Sequence, residues 1–113
     1  MSPITSHVLD TALGKPAADL GLRLEVQRPG GSWQLLAERR TQRDGRVTDL
    51  LAAGALERAR YRLTFDTGAY LAATGQPVFY PQVEIVFEIR SETEHYHIPL
   101  LLSPYGYSTY RGS

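Results

Sequence analysis

The chain has 113 residues, a length that suits one domain built on one core. Its 12 Lys and Arg balance 12 Asp and Glu, which removes the positive field that nonspecific nucleic-acid binding depends on, and the absence of Cys excludes disulfides, zinc ribbons, iron–sulfur clusters and thiol nucleophiles. With 42% hydrophobic residues, no apolar run near the roughly 20 residues of a membrane-spanning helix and no signal-peptide pattern from Met1 to His7, a soluble cytoplasmic protein is expected, the periplasm being the alternative compartment.

Turn chemistry punctuates the chain, beginning with Gly14-Lys15-Pro16. Leu22, Leu24 and Val26 then alternate with Arg23, Glu25 and Gln27, the period-two pattern of a strand with one buried face. Arg28-Pro29-Gly30-Gly31 ends it, and Asp44-Gly45, followed by Arg46, is a strong turn signal. Leu50 to Arg58 has helical propensity, although Gly54 interrupts it. Tyr61, Leu63 and Phe65 alternate with Arg62, Thr64 and Asp66, predicting another strand. A short helix follows, capped by Asp66 or Thr67, carrying Tyr70, Leu71 and Thr74, and ended by Gly75 and Pro77. Val83, Ile85, Phe87 and Ile89 alternate with Gln82, Glu84, Val86 and Glu88, and a further strand runs from Glu94 to Ser103 before the turn at Pro104 to Gly106. Tyr107 and Tyr110, close to the end, argue for a docked terminus rather than a frayed one. No repeat or linker interrupts residues 1–113, so one all-β module, a sandwich or barrel, is predicted.

The strand from Glu94 has two unlike faces. Tyr96, Ile98, Leu100 and Leu102 form an apolar one, leaving His95 and His97 together on the outer side. Such a pair has three explanations. The two are solvated surface residues; or His95 and His97 hold a metal with His7 as third ligand and an open position for water; or they serve in acid–base catalysis, for which an imidazole with an unperturbed pKa of ~6.5 is suited. Catalysis needs partners, and Arg46 beside its turn is a candidate because a guanidinium presents a planar fork of donors to an anion or carbonyl. A Gly-x-Ser-x-Gly elbow, a phosphate-binding glycine loop and a dinucleotide fingerprint are all missing from the sequence.

Four segments together carry a resemblance: His7-Val8-Leu9-Asp10-Thr11-Ala12-Leu13-Gly14-Lys15-Pro16-Ala17, the Asp44-Gly45-Arg46 turn, Tyr61 to Tyr70, and Tyr96-His97-Ile98-Pro99-Leu100 through Tyr110-Arg111-Gly112-Ser113. The chain resembles, essentially end to end, the 5-hydroxyisourate hydrolase family, the transthyretin-related enzymes of urate breakdown, whose signature is the closing Tyr-Arg-Gly-Ser.

The resemblance implies a transthyretin-like sandwich of two four-stranded sheets, a short helix after the fifth strand, and a loop at Leu50 to Arg58 in place of helix. It implies a homotetramer, a dimer of dimers with sites at the subunit interface. It also implies hydrolysis of a small-molecule substrate, 5-hydroxyisourate, to 2-oxo-4-hydroxy-4-carboxy-5-ureidoimidazoline, with no cofactor. The catalytic residues implied are His7, His97, Arg46 and Ser113, with His7, Arg46, Tyr110, Arg111 and Gly112 binding substrate; either histidine is the base. His97, not His95, is the one before Ile98-Pro99. The rival functions are a transthyretin-like carrier without chemistry and a metal-dependent hydrolase using His7, His95 and His97.

Overall fold

A computed structural model describes residues 1–112. It contains β1 (Ile4–Asp10), β2 (Lys15–Pro16), β3 (Gly21–Gln27), β4 (Trp33–Arg40), β5 (Arg46–Val47), β6 (Arg60–Phe65), α1 (Thr67–Ala73), β7 (Val83–Glu88), β8 (Tyr96–Ser103) and β9 (Gly106–Thr109). One sheet runs β4-β3-β6-β7; the other runs β2-β1-β8-β9, with β5 also paired to β1. The implied pair of sheets is therefore present. A fifth strand arises in one of them because β1 pairs with β5 at Ser6 and His7 and with β2 at Leu9 and Asp10, so two short strands divide its length.

Alternation explains the core. Leu22, Leu24 and Val26 of β3 and Tyr61, Leu63 and Phe65 of β6 are buried, facing Ile98, Leu100 and Leu102 across the sandwich from β8. β1 was not foreshadowed by the hydrophobic pattern, since two of its four inward residues are polar: Ile4 and Val8 alternate with buried Ser6 and Asp10. Each polar group has partners. Ser6 Oγ donates to the Ile98 carbonyl at 2.7 Å, while Asp10 accepts from the Leu13 amide, the Tyr70 hydroxyl and Gln76 Nε2. β4 lacked a clear period as well, because its register against β3 shifts at Leu24 and Glu25 and the alternation breaks there.

The helix lies where its caps predicted. Asp66 accepts from the Ala69 amide, Thr74 closes the other end, and Gly75 takes φ +72° just beyond. With β2 and β5 counted, it follows the sixth strand. Leu50 to Arg58 forms no helix. Gly54 at φ +82° turns the chain there, and Leu50 and Leu56 are both buried, which anchors the segment to the core as a loop. β8 begins at Tyr96, so Glu94 and His95 precede the strand rather than open it.

Candidate active site

β8, β1 and β5 lie side by side, and their pairing fixes which side chains become neighbours. In the parallel pair β1–β8, Thr5 stands opposite His97; in the antiparallel pair β1–β5, His7 stands opposite Arg46. The residues between them, Ser6, Val8 and Ile98, are buried, so Thr5, His7, His97 and Arg46 share the outward face of one sheet. Residues 5, 7, 46 and 97 thus meet through two non-local pairings.

His7 is held by the turn that precedes β5. Its Nε2 lies 2.8 Å from the Asp44 carbonyl oxygen, which can only accept, so this nitrogen carries a proton, and any lone pair the ring offers is at Nδ1. The turn depends on Gly45, which adopts φ +81° and whose carbonyl accepts from the Val8 amide at 2.8 Å. A side chain there would run into the Val8 carbonyl and the His7 ring. Asp44 also accepts from the Arg46 amide at 3.0 Å, which orients the arginine beside His7 while its guanidinium stays exposed.

His97 is half-buried, with Nδ1 2.8 Å from Thr5 Oγ1. The same hydroxyl lies 3.1 Å from Nε2 of His95, whose ring runs nearly parallel to that of His97 at a centroid separation of 6.4 Å. Burial pushes the His97 pKa below the usual imidazole value, and the positive charge of Arg46 and the neighbouring His7 and His95 push it the same way. The charged form of His97 is thereby disfavoured.

The tail docks against this histidine. The Gly112 amide donates to the His97 carbonyl at 2.8 Å, an antiparallel bridge that continues the pairing of β9 along β8. This register sets Gly112 opposite His97, on the histidine face, and Arg111 opposite Ile98, on the other. Arg111 accordingly stacks over the Tyr96 ring at 4.4 Å and donates to Glu94 Oε1 at 2.9 Å. It lines, with Phe87 and Ile98, a cleft of about 510 Å³ on the opposite side of the sheet. Its guanidinium, expected to touch substrate, is thus not brought to the histidine face. Ser113 lies outside the described residues.

No three His, Cys, Asp or Glu side chains converge on one point among the described residues. His95 and His97 share a hydroxyl between them, and His7 is taken up by Asp44, so the trio does not form a ligand set. Thr5 was not singled out from sequence. Its signal was its position two residues before His7, which means the same face once β1 is known to be a strand.

A family model described as HIUase/Transthyretin family matches residues 4–112. The chain is 50% identical over 113 residues to the 5-hydroxyisourate hydrolase of Mus musculus, covering 99% of this chain and 96% of that one. Among solved structures, it is similar to Klebsiella pneumoniae 5-hydroxyisourate hydrolase, at TM-score 0.85 and 37% identity over the whole of both chains. Sea bream transthyretin in complex with thyroxine superimposes at TM-score 0.93 with 32% identity, covering 97% of this chain and 94% of that one.

Proposed function

This chain belongs to the HIUase/Transthyretin family, and from that membership together with the sheet face just described we infer that it is a 5-hydroxyisourate hydrolase of purine degradation. The observation that carries the chemistry is the juxtaposition of His97, His7 and Arg46 on three adjacent strands. Water attacks a carbonyl carbon of the substrate ring, the amide-like C–N bond breaks, and 2-oxo-4-hydroxy-4-carboxy-5-ureidoimidazoline is released.

Each group then has a task suited to its surroundings. His7, with Nε2–H bonded to the Asp44 carbonyl, offers Nδ1 to take a proton from the attacking water. His97, whose charged form burial disfavours, presents Nε2, the ring nitrogen that Thr5 leaves free, to orient the water or the departing nitrogen. Arg46 stabilises negative charge growing on the carbonyl oxygen. Tyr110 and Gly112 border the site from the tail, and the family resemblance implies a catalytic role for Ser113. Arg111 holds the tail in place through Tyr96 and Glu94 rather than touching substrate.

The face is an open sheet surface, and Tyr110 of the adjoining tail is 59% exposed. A homotetramer, a dimer of dimers, would supply the opposing wall and place sites at subunit interfaces. In support, β7 and β9 stand at the edges of their sheets among the described residues and expose Val86 and Tyr107, which invites edge-to-edge pairing with a second copy. A transthyretin-like carrier shares this fold, but the identity to named hydrolases exceeds that to sea bream transthyretin, and two histidines with an arginine are more than a carrier requires.

The decisive experiment generates 5-hydroxyisourate in situ with urate oxidase and follows its absorbance decay with and without the protein. Acceleration over the spontaneous decay is the expected result. Its absence removes the enzyme.

A further inference from the structure

Thr5 stands at the centre of a short chain of hydrogen bonds whose direction is open to chemical argument. A threonine hydroxyl has one proton, so between two ring nitrogens it donates to one and accepts from the other. Its oxygen lies 2.8 Å from His97 Nδ1 and 3.1 Å from His95 Nε2. The protonation of the two rings is therefore linked: if Nδ1 of His97 accepts, Nε2 of His95 donates, and the reverse holds as well.

The other side of the site selects between these directions. His7 is fixed with Nε2–H toward the Asp44 carbonyl, which leaves it an acceptor. With Arg46 answering the charge on the carbonyl oxygen and His7 accepting the water proton, the ring opening still needs a proton donor for the departing nitrogen, and His97 fills that role as a donor at Nε2. A neutral ring donates at Nε2 when Nδ1 is the bare nitrogen. We propose that Thr5 is a positioning residue for His97, its hydroxyl accepting from His95 Nε2–H and donating to His97 Nδ1, so that the His97 ring is held with Nε2–H toward substrate. This rests on the assignment of His97 to the hydrolytic site. His95, exposed at the outer end, is the anchor of the chain and not a group that meets substrate.

The register explains why Thr5 serves this role. The parallel pairing of β1 with β8 sets it directly opposite His97 on the same face, and it is nearly buried, at 9% exposure, so its hydroxyl has little access to competing water. Valine keeps the shape and the β-branch but cannot donate; serine keeps the hydroxyl.

The test uses the full-length protein labelled with ¹⁵N at histidine, with long-range ¹H–¹⁵N correlation spectra recorded at pH 8. The three histidines are assigned by single replacements with Asn. The expected wild-type spectrum has His97 protonated at Nε2, with Nδ1 shifted from the position of a free imidazole nitrogen because it accepts a hydrogen bond. In Thr5→Val the Nδ1 signal should move to the free position, and kcat should fall about 10- to 100-fold with KM within about twofold. Thr5→Ser should restore both the Nδ1 shift and kcat. Protonation of His97 at Nδ1 in the wild type overturns the proposal, as does an Nδ1 signal and kcat indifferent to Thr5→Val. If the valine variant does not fold, the wild-type and serine spectra still decide the direction. Those spectra need no substrate, so a protein that failed to hydrolyse 5-hydroxyisourate would remove the functional assignment and leave the hydrogen-bond result to be read separately.

Discussion

Gly112 packs directly against the imidazole of His97: a methyl group on its Cα would lie 2.6 Å from the ring Cδ2, while its amide donates to the His97 carbonyl at 2.8 Å. A contact that short requires either the ring or the tail to move, since real carbons do not approach so closely. Gly112 therefore sets the position of the His97 ring by having no side chain.

Gly112→Ala should accordingly lower kcat on the order of 10- to 100-fold, because small misplacement of a reacting group is costly, while leaving the fold intact. Circular dichroism and thermal melting would monitor the fold and steady-state kinetics the rate. A variant with wild-type kcat would show that His97 does not need its observed position.

Replacing His97 by Asn removes the imidazole while keeping size and some hydrogen bonding, and should lower turnover by ~100- to 10,000-fold, the usual contribution of an acid–base group. His95→Asn retains an N–H donor for Thr5 and should cost about tenfold at most. A crippled His95 variant beside a nearly normal His97 variant would reverse the assignment of the two rings.

The pH behaviour of His97 follows from its surroundings. Burial, then Arg46, then the other two histidines disfavour its charged form, so its titration by NMR should be centred below ~6.5, the unperturbed value. In Arg46→Gln one of these causes is lost and the midpoint should rise. For stability, the unfolded chain binds the proton more readily than the folded one. The contribution is thus present above the unfolded pKa and is lost as pH falls through the folded one. An His97 midpoint above that of a free histidine would contradict the electrostatic picture.

Tyr70→Phe tests the link between α1 and the strand that carries His7. The hydroxyl donates to Asp10 Oδ2 at 2.7 Å. Burial alone raises the Asp10 pKa, but hydrogen bonds from the Leu13 amide, Tyr70, Gln76 and the Ala12 amide together outweigh it and hold the carboxyl below its ordinary value. Losing one donor to a buried carboxylate should destabilise the protein by about 1–3 kcal/mol at pH 7. The Asp10 contribution is present above ~3.9 and disappears as pH falls through the lowered pKa, so the cost of the substitution should shrink toward acid. Denaturant unfolding of both proteins at pH 7 and near pH 3 would measure it, and a pH-independent difference would show that Tyr70 acts by packing alone.

Much of the scaffold was legible in the residues. β3, β6 and β7 announced themselves by alternating apolar side chains, because a strand with one buried face has no other way to satisfy both solvent and core. α1 was legible from Asp66 and Gly75, whose capping is a local property of the backbone. His7, Arg46 and His97 could be named from the motifs that contain them. Their meeting could not be inferred from periodicity, because it arises from pairings that join residue 5 to 97 and 7 to 46. The same holds for β1, whose inward Ser6 and Asp10 look like surface residues until Ile98, Tyr70 and Gln76 are seen to satisfy them. It holds for Leu50 to Arg58, where helical propensity of a few tenths of a kcal/mol per residue yields to the burial of Leu50 and Leu56. Thr5 as the partner of His97, and Arg111 turned to the face opposite the histidines, are decided by tertiary structure alone, since which side chains share a face and which hydroxyl lies between two rings depend on strand register, a relation between distant segments that no local pattern encodes.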